Sequence, residues 1–255
     1  MELTDEVVAH GTLIQLNKTA PVEICIGPMP AIHPPHCGGP ELVGEVDWNA
    51  VKAERANGVI WSSGEVWAVG RFAPRDGKPG TFTLTQPLQQ NPPSGMSRPT
   101  PGPVDFPQLC EDPYAGGGRK GGGGSDDQNV LHELLPTMDG YVSSWVSDGS
   151  SLFNVLVTGD AAVAHSEIRR VWKGGLCVEQ RNLPIQADVR AAQEALGQKS
   201  QDLGLHTIGG GSDGTLDVEA AFVDSTTRAQ ILEIVRPWLS PDHVRITSAI
   251  QPLTQ

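Results

Sequence analysis

Proline and glycine are distributed unevenly along this chain, and their two main clusters limit where regular structure can extend. Of the 255 residues, 30 are glycine and 21 are proline, with a proline-rich stretch at 87–107 and a glycine-rich stretch at 116–127. Proline fixes φ and lacks an N–H donor, and glycine loses the most conformational entropy on folding, so neither stretch favours a helix or a central strand. The sequence therefore predicts an N-terminal domain over 1–88, a flexible Pro/Gly-rich linker over 89–126 and a C-terminal domain over 127–255.

The N-terminal part has the sequence pattern of a small all-β domain. Short runs of β-branched and apolar residues are separated by Gly and Pro, and the stretch 80–85 (Gly-Thr-Phe-Thr-Leu-Thr) alternates strictly between apolar and polar side chains. Five or six such strands favour a small β-barrel or sandwich, with an OB-like barrel as one candidate. The predicted strands cover 6–16, 22–26, 41–48, two within 59–72 and 80–85, with one or two helical turns at 49–55.

The C-terminal part repeats one order of elements, helix, strand, strand, helix, strand. The stretches 152–160 and 216–224 correspond in this order, because each is an apolar strand that runs into an aspartate at the start of a helix. We therefore predict an α+β domain of two tandem αββαβ units, 127–181 and 185–255. The predicted elements are 127–138, 141–146, 152–157, 160–172 and 176–180 in the first unit, and 185–197, 205–208, 215–223, 226–239 and 244–250 in the second.

Four pieces of the chain carry a resemblance to a known group of proteins. They are Cys-Ile-Gly at 25–27, Pro-Pro-His-Cys-Gly-Gly-Pro at 34–40, Phe-Pro-Gln-Leu-Cys-Glu-Asp-Pro-Tyr at 106–114 and Leu-Phe-Asn-Val-Leu-Val-Thr-Gly-Asp at 152–160. The chain resembles a group of uncharacterised proteins from high-GC Gram-positive (actinobacterial) bacteria, which implies a source but no activity. Separately, the αββαβ order is similar to that of BON domains, which are binding modules of bacterial envelopes; this similarity is one of topology.

The charge and hydropathy of the chain exclude several classes of function. The net charge is −12, and such an acidic surface repels both nucleic-acid phosphates and anionic lipid headgroups. No apolar run approaches the roughly 20 residues of a membrane-spanning helix, and the first residues are acidic where a signal peptide would be basic. We expect a soluble protein that binds no nucleic acid and inserts in no membrane. It is cytoplasmic from the chain as given, or exported if its cysteines form disulfides.

The stretch 25–40 contains the densest group of reactive side chains. Cys25, His33, His36 and Cys37 have the spacing C-x7-H-x2-H-C and offer four ligands of the kind that bind zinc or copper. Because His36 and Cys37 are adjacent, they cannot easily point at one metal ion, and five prolines stiffen the loop. A Cys25–Cys37 disulfide is therefore the favoured interpretation, with a metal site or free buried thiols as alternatives.

The other two cysteines, Cys110 and Cys177, are candidates for a second disulfide. Such a bond would tie the linker to the third strand of the first αββαβ unit, and the alternative is a pair of free thiols. If both disulfides form, they indicate a compartment outside the cytosol.

Two further groups of residues suggest a site. Trp48, Trp61 and Trp67 can line a pocket or a peptide groove, or else fill a small core. The segment 210–214 (Gly-Gly-Ser-Asp-Gly) matches the G-x-S-x-G form of serine hydrolases, but the nucleophile of those enzymes needs a strand before it and a helix after it. We predict a hairpin turn there.

No nucleophile, general base or cofactor motif is assembled in the sequence. We therefore predict a non-catalytic binding or scaffold protein, whose partner is an unknown protein or small molecule and which needs no cofactor. The alternative is a metal- or thiol-dependent protein that uses Cys25, His33, His36 and Cys37 with zinc or copper. Under the first hypothesis Cys25→Ser costs stability only, whereas under the second it removes metal or activity from a protein that still folds.

Overall fold

A computed structural model describes residues 6–27, 31–75, 78–97 and 106–253. The N-terminal part consists of strands, and helices and strands alternate in the C-terminal part. The mixed α+β class is therefore confirmed, and so is the presence of a β-barrel.

The described residues of the N-terminal part form seven strands. They are β1 (Val7–Gln15), β2 (Val22–Cys25), β3 (Glu41–Val43), β4 (Ala53–Ala56), β5 (Val59–Ser62), β6 (Val66–Arg75) and β7 (Lys78–Leu84). Five of them close a barrel in the order β1-β2-β3-β7-β6 and back to β1. The β3–β7 pair is parallel, and the other four pairs are antiparallel.

The barrel closes because β1 is long enough to have different partners at its two ends. Its first half pairs with β6 as far as Gly11, and from Thr12 onward it pairs with β2. A side chain at Gly11 would clash with the carbonyl group of Cys25, so glycine allows the close approach of the two strands at this point.

The hairpin β4–β5 differs from the sequence-based expectation of one or two helical turns at 49–55. The chain makes a turn at 48–52 and then enters β4, which pairs with β5. Asn57 (φ 51°) and Gly58 (φ 85°) form the tight connection between them. An Asn-Gly pair suits the positive φ angles of such a turn, so this local signal favours a hairpin over a helix.

Each C-terminal unit contains two helices and a three-stranded sheet. The first has α1 (Ser125–Leu134), β8 (Tyr141–Val146), β9 (Leu152–Val157), α2 (Ala161–Val171) and β10 (Gly175–Gln180); the second has α3 (Gln186–Gly197), β11 (Leu205–Gly210), β12 (Leu216–Ala220), α4 (Ser225–Val235) and β13 (Val244–Ser248). In both sheets the first two strands are antiparallel and the third is parallel to the second. Each sheet buries one face against its own two helices, in two separate apolar clusters.

Aspartates begin the second helix of each unit. The Asp160 carboxylate accepts hydrogen bonds from the backbone N–H groups of Ala162 (2.7 Å) and Val163 (3.1 Å), and that of Asp224 accepts one from Thr227 (2.7 Å). These bonds satisfy amides that have no partner within the helix, which confirms the predicted cap at Asp160.

The barrel and the second unit share one core. Phe222 and Ile250, which follow β12 and β13, pack into the barrel's apolar cluster beside residues such as Phe72 and Phe82. The chain then forms β14 (Gln251–Pro252), which pairs antiparallel with the start of β1. The second unit therefore contributes two side chains to the barrel core, and the strand after it joins the barrel's sheet.

The glycine-rich stretch differs from the flexible tract that its composition predicts. The N–H of Arg119 donates to the carbonyl of Lys173 at 2.9 Å. Gly123 has φ +86°, and a Cβ on it would lie 2.5 Å from the ring of Trp172, which is fully buried. The stretch packs on the first unit, and its glycines allow that contact.

Within the described residues, no helix is both long and apolar enough to span a bilayer.

Candidate functional site

The loop that follows β2 is closed by a disulfide between Cys25 and Cys37, whose Cα atoms are 5.8 Å apart. This confirms the predicted pairing. His33 packs edge-to-face on Trp61 with 5.3 Å between ring centroids, while His36 is exposed. Because both sulfurs are bonded to each other, neither is a thiolate ligand. Among the described residues no group of three His, Cys, Asp or Glu side chains could hold a metal ion, so a metal site here requires the reduced protein.

Residues 106–113, named the strap here, cross the face of the first sheet that points away from its helices. Trp145, Asn154 and Cys177 are register partners on the adjacent strands β8, β9 and β10, so their side chains form a row. The indole N–H of Trp145 donates to the carbonyl of Pro107 at 2.8 Å. The N–H of Leu109 donates to the Asn154 carboxamide oxygen at 2.8 Å.

The third contact of the strap is covalent. Cys110 and Cys177 form a disulfide with 5.4 Å between their Cα atoms, which confirms the second predicted pairing. Asn154 is fully buried, and its side-chain N–H donates to Ser147 Oγ at 3.0 Å, so both ends of the carboxamide are satisfied. The strap is thus held at each of the three strands that it crosses.

Arg169 is the buried cation of this region and has a structural role. Its guanidinium donates to the carbonyl oxygens of Ala115 (2.9 Å), Gly174 (2.7 Å) and Pro113 (2.6 Å). Burial lowers the pKa of Arg169, and the nearby charge of Asp112 opposes that effect. These hydrogen bonds connect α2 to the last residue of the strap, to Ala115 just beyond it and to the residues that lead into β10.

The three N-terminal tryptophans lie in different clusters of the barrel and do not form one groove. Trp61 packs with Ile14 and Cys25, whereas Trp67 stacks on His10 with 4.2 Å between ring centroids. Trp48 is half-buried against the main barrel core.

The G-x-S-x-G segment forms the predicted hairpin turn between β11 and β12. The N–H of Gly211 donates to the carbonyl of Thr215 at 2.7 Å. Arg245 forms ion pairs with Asp213 (3.4 Å) and Asp217 (2.6 Å), so the turn's carboxylates already have a cationic partner. Ser212 therefore lacks the strand-to-helix setting of a hydrolase nucleophile.

A cleft of about 450 Å³ lies between the barrel and the second unit. Phe72 and Phe222 meet beneath it, with ring centroids 5.2 Å apart. Its apolar wall is completed from both sides by Pro74, Pro79, Leu203, Leu205 and Ala221. The volume falls within the range of small-molecule sites, which are often found where two structural units meet.

The polar rim of the cleft is acidic with one imidazole. Burial lowers the pKa of His206, with the charge of Glu219 acting in the opposite direction, so the ring is neutral at neutral pH. The backbone N–H of Thr227 lowers the pKa of Asp224, which is therefore a carboxylate. Arg75, at the same rim, is paired with Glu41 at 3.3 Å.

Sequence reasoning missed this cleft because its two aromatic residues are far apart in the chain and belong to patterns that explain them locally. Phe222 fits the alternation of the preceding strand, but β12 ends at Ala220 and Phe222 packs into the barrel instead.

Comparison of the chain with protein-family models, with curated proteins and with solved structures finds no match.

Proposed function

We propose that this chain is a non-catalytic binding protein and that its ligand occupies the cleft between the barrel and the second αββαβ unit. The observation that carries the proposal is the meeting of Phe72 and Phe222, one from each side, beneath an open cavity of about 450 Å³. A cavity of this size with an apolar wall and few polar groups suits a small organic molecule.

The rim favours a ligand with a hydrogen-bond donor or a positive charge at one end. Asp224 and the neutral imidazole of His206 supply acceptors, and Arg75 is occupied by Glu41. A ligand with an apolar body and a cationic or donor end would place its body on the phenyl rings and its polar end at this rim.

Other features support binding over catalysis. All four cysteines are in disulfides, so no thiol nucleophile is present in the oxidised protein. Two disulfides also support the proposal that the protein works in an oxidising compartment. Mass spectrometry of alkylated protein from its source tests this: four modified thiols before reduction would contradict it.

The binding proposal is tested with tryptamine as the probe, by following backbone amide shifts in ¹H–¹⁵N spectra. We expect shifts at Leu205, His206 and Phe222, and no such shifts with indole-3-acetate. Gln230→Trp, on the exposed part of the cleft wall, should abolish them by filling the cavity. Ala229→Trp, exposed on the same helix but outside the wall, is the matched control. Tryptamine-induced shifts that map elsewhere, or that persist in Gln230→Trp, would contradict the proposal.

We further infer that the barrel is OB-like and that 127–181 and 185–255 are two copies of one unit. Support for the first comes from the closed five-strand order, in which β3 and β7 are parallel. Counted along the chain, these are the third and the fifth strands of the barrel. Support for the second comes from two sheets with the same strand order and directions. Superposition of the two units in a crystal structure tests the second inference: sheets and helices that do not overlay would contradict it.

A further inference from the structure

A second cavity, of about 440 Å³, lies on the barrel between the β1–β2 turn and the β4–β5 hairpin. It is named the basic pocket here, because the charged side chains of its wall are both cations, Lys18 and Arg55. The rest of the wall is formed by Gln15, Asn17, Trp48, Ala56, Asn57, Gly58, Val59 and Ile60.

Strand register places the floor of the basic pocket. Gln15 pairs with Ile60, and Ile60 pairs with Arg55, so the three residues form a row across β1, β5 and β4. Paired residues project from the same face, and neighbouring strands are about 4.8 Å apart. Arg55 therefore lies about two strand spacings from Gln15, with the apolar side chain of Ile60 between them.

Lys18 is positioned by the tight turn that follows β1. The Asn17 side-chain oxygen accepts hydrogen bonds from the N–H groups of Thr19 and Ala20, both at 2.9 Å. The Gln15 carboxamide donates to the carbonyl of Ala20 at 2.9 Å and fixes the turn against the end of the strand. Lys18, at the exposed centre of this turn, is thus held at one side of the pocket and Arg55 at the other.

Neither cation has a carboxylate partner among the described residues. In the part of the chain that the structure describes, the ion pairs that other basic residues form do not include Lys18 or Arg55. Glu54, next to Arg55 along β4, projects from the opposite face of the strand. Two unpaired cations around one cavity are notable in a chain of net charge −12, because acidic residues are in excess.

The remaining requirement for an organic ligand is an apolar surface. Trp48 is half-buried in the wall of the basic pocket, and its carbonyl oxygen accepts a hydrogen bond from Ala53 N–H at 2.9 Å, which fixes its backbone next to the hairpin. Ile60 is also half-buried there. We propose that the basic pocket binds a small organic anion with a flat apolar body, whose anionic group is held by Lys18 and Arg55 and whose body lies against Trp48.

The proposal is tested by calorimetric titration of the full chain with 1-naphthoate, 1-naphthyl phosphate and the neutral 1-naphthalenemethanol. We expect both anions, or one of them, to bind, and the alcohol to bind at least about fivefold more weakly, since one charge contact at about 4 Å in water corresponds to roughly that factor. A preference for 1-naphthoate would indicate a carboxylate ligand, and a preference for 1-naphthyl phosphate would indicate a phosphate ligand. Either preference supports the proposal.

Variants then locate the bound anion. Lys18→Gln and Arg55→Gln should each weaken binding about fivefold, and added salt should reduce it further. Arg190→Gln and Lys199→Gln change net charge equally at exposed positions elsewhere and should leave it unchanged. Gln230→Trp, which fills the cleft, should also leave it unchanged, so failure here is distinct from failure of the cleft proposal. Equal weakening by the control variants, equal binding of the alcohol, or no binding of either anion at about 1 mM would overturn the proposal.

Discussion

The packing of the glycine-rich stretch on the first αββαβ unit can be tested by three single substitutions to alanine. Gly121 has φ +70° and open space around its Cα, so alanine there meets only the cost of the backbone conformation. Gly174 has no positive φ, but a Cβ on it would clash with the ring of Trp172. Gly123 combines both features, with φ +86° and a Cβ position 2.5 Å from the same ring.

These geometries predict a graded loss of stability. A non-glycine residue at positive φ costs about 1–2 kcal/mol, and alanine recovers about 0.4–1 kcal/mol by restricting the unfolded chain, so Gly121→Ala should cost about 1 kcal/mol or less. Overpacking a filled core costs about 1–3 kcal/mol, which is the expectation for Gly174→Ala. Trp172 is fully buried and donates its indole N–H to the carbonyl of Gly175 at 2.9 Å, so it cannot move away easily. Gly123→Ala should therefore cost about 3 kcal/mol.

The measurement is the free energy of unfolding from urea titrations at neutral pH without reductant, followed by tryptophan fluorescence. Gly197→Ala, at the end of α3 with open space around it, is the control and should change stability by less than about 1 kcal/mol. If Gly123→Ala were no more destabilising than Gly121→Ala, the stretch would not pack on Trp172. It would then be the flexible linker that its composition indicates.

Three further predictions concern the disulfides and two sets of side-chain hydrogen bonds. Cys110→Ser should cost about 4 kcal/mol of stability and Cys25→Ser about 3 kcal/mol, because their disulfides close sequence separations of 67 and 12 residues. The midpoints of urea unfolding measure this loss. Under reductant, each variant should have the same midpoint as the reduced wild type. Arg169→Lys should cost about 2–3 kcal/mol by the same assay, since one ammonium group cannot reach all the carbonyls that the buried guanidinium satisfies; an unchanged midpoint would contradict the hydrogen-bonding role. Burial raises the pKa of the Asp148 carboxyl group, but the N–H groups of Leu152, Ser150 and Ser151 donate to it and lower its pKa overall. The free energy of folding that this carboxylate contributes is therefore present above the ordinary aspartate pKa and is lost as the pH falls below it. Asp148→Asn keeps an acceptor at every pH and should flatten the decline of the melting temperature between about pH 4 and 2; an identical decline in the variant would refute this.

Much of the secondary structure could be predicted because its signals are local. Alternation predicts β7, and an aspartate before an apolar periodic run predicts the start of α2. The two disulfides were also predicted, since four cysteines offer few pairings and the adjacency of His36 and Cys37 disfavours a metal site. Neither inference needs knowledge of how distant parts of the chain pack.

The features that could not be predicted depend on contacts between distant residues. Gly123 packs against the ring of Trp172, although the composition around Gly123 is typical of a flexible linker. The cleft lies where Phe222, just beyond the end of β12, contacts Phe72 of the barrel, about 150 positions earlier in the sequence. A single sequence contains no local pattern for either contact.

The long-range ties also bear on how the proposed cleft would bind. The barrel and the second unit are joined by β14, which pairs with β1, and by Phe222 and Ile250 in the barrel core. Because these contacts are made by the chain's own residues, the fold itself holds both walls of the cleft, and little ordering of the protein should oppose binding. Loss of the β14 pairing should therefore weaken a cleft ligand while the basic pocket, which is built from β1, β4, β5 and the turns next to these strands, keeps its affinity. A deletion of 251–255 that affected both sites equally would show that the barrel itself depends on this strand.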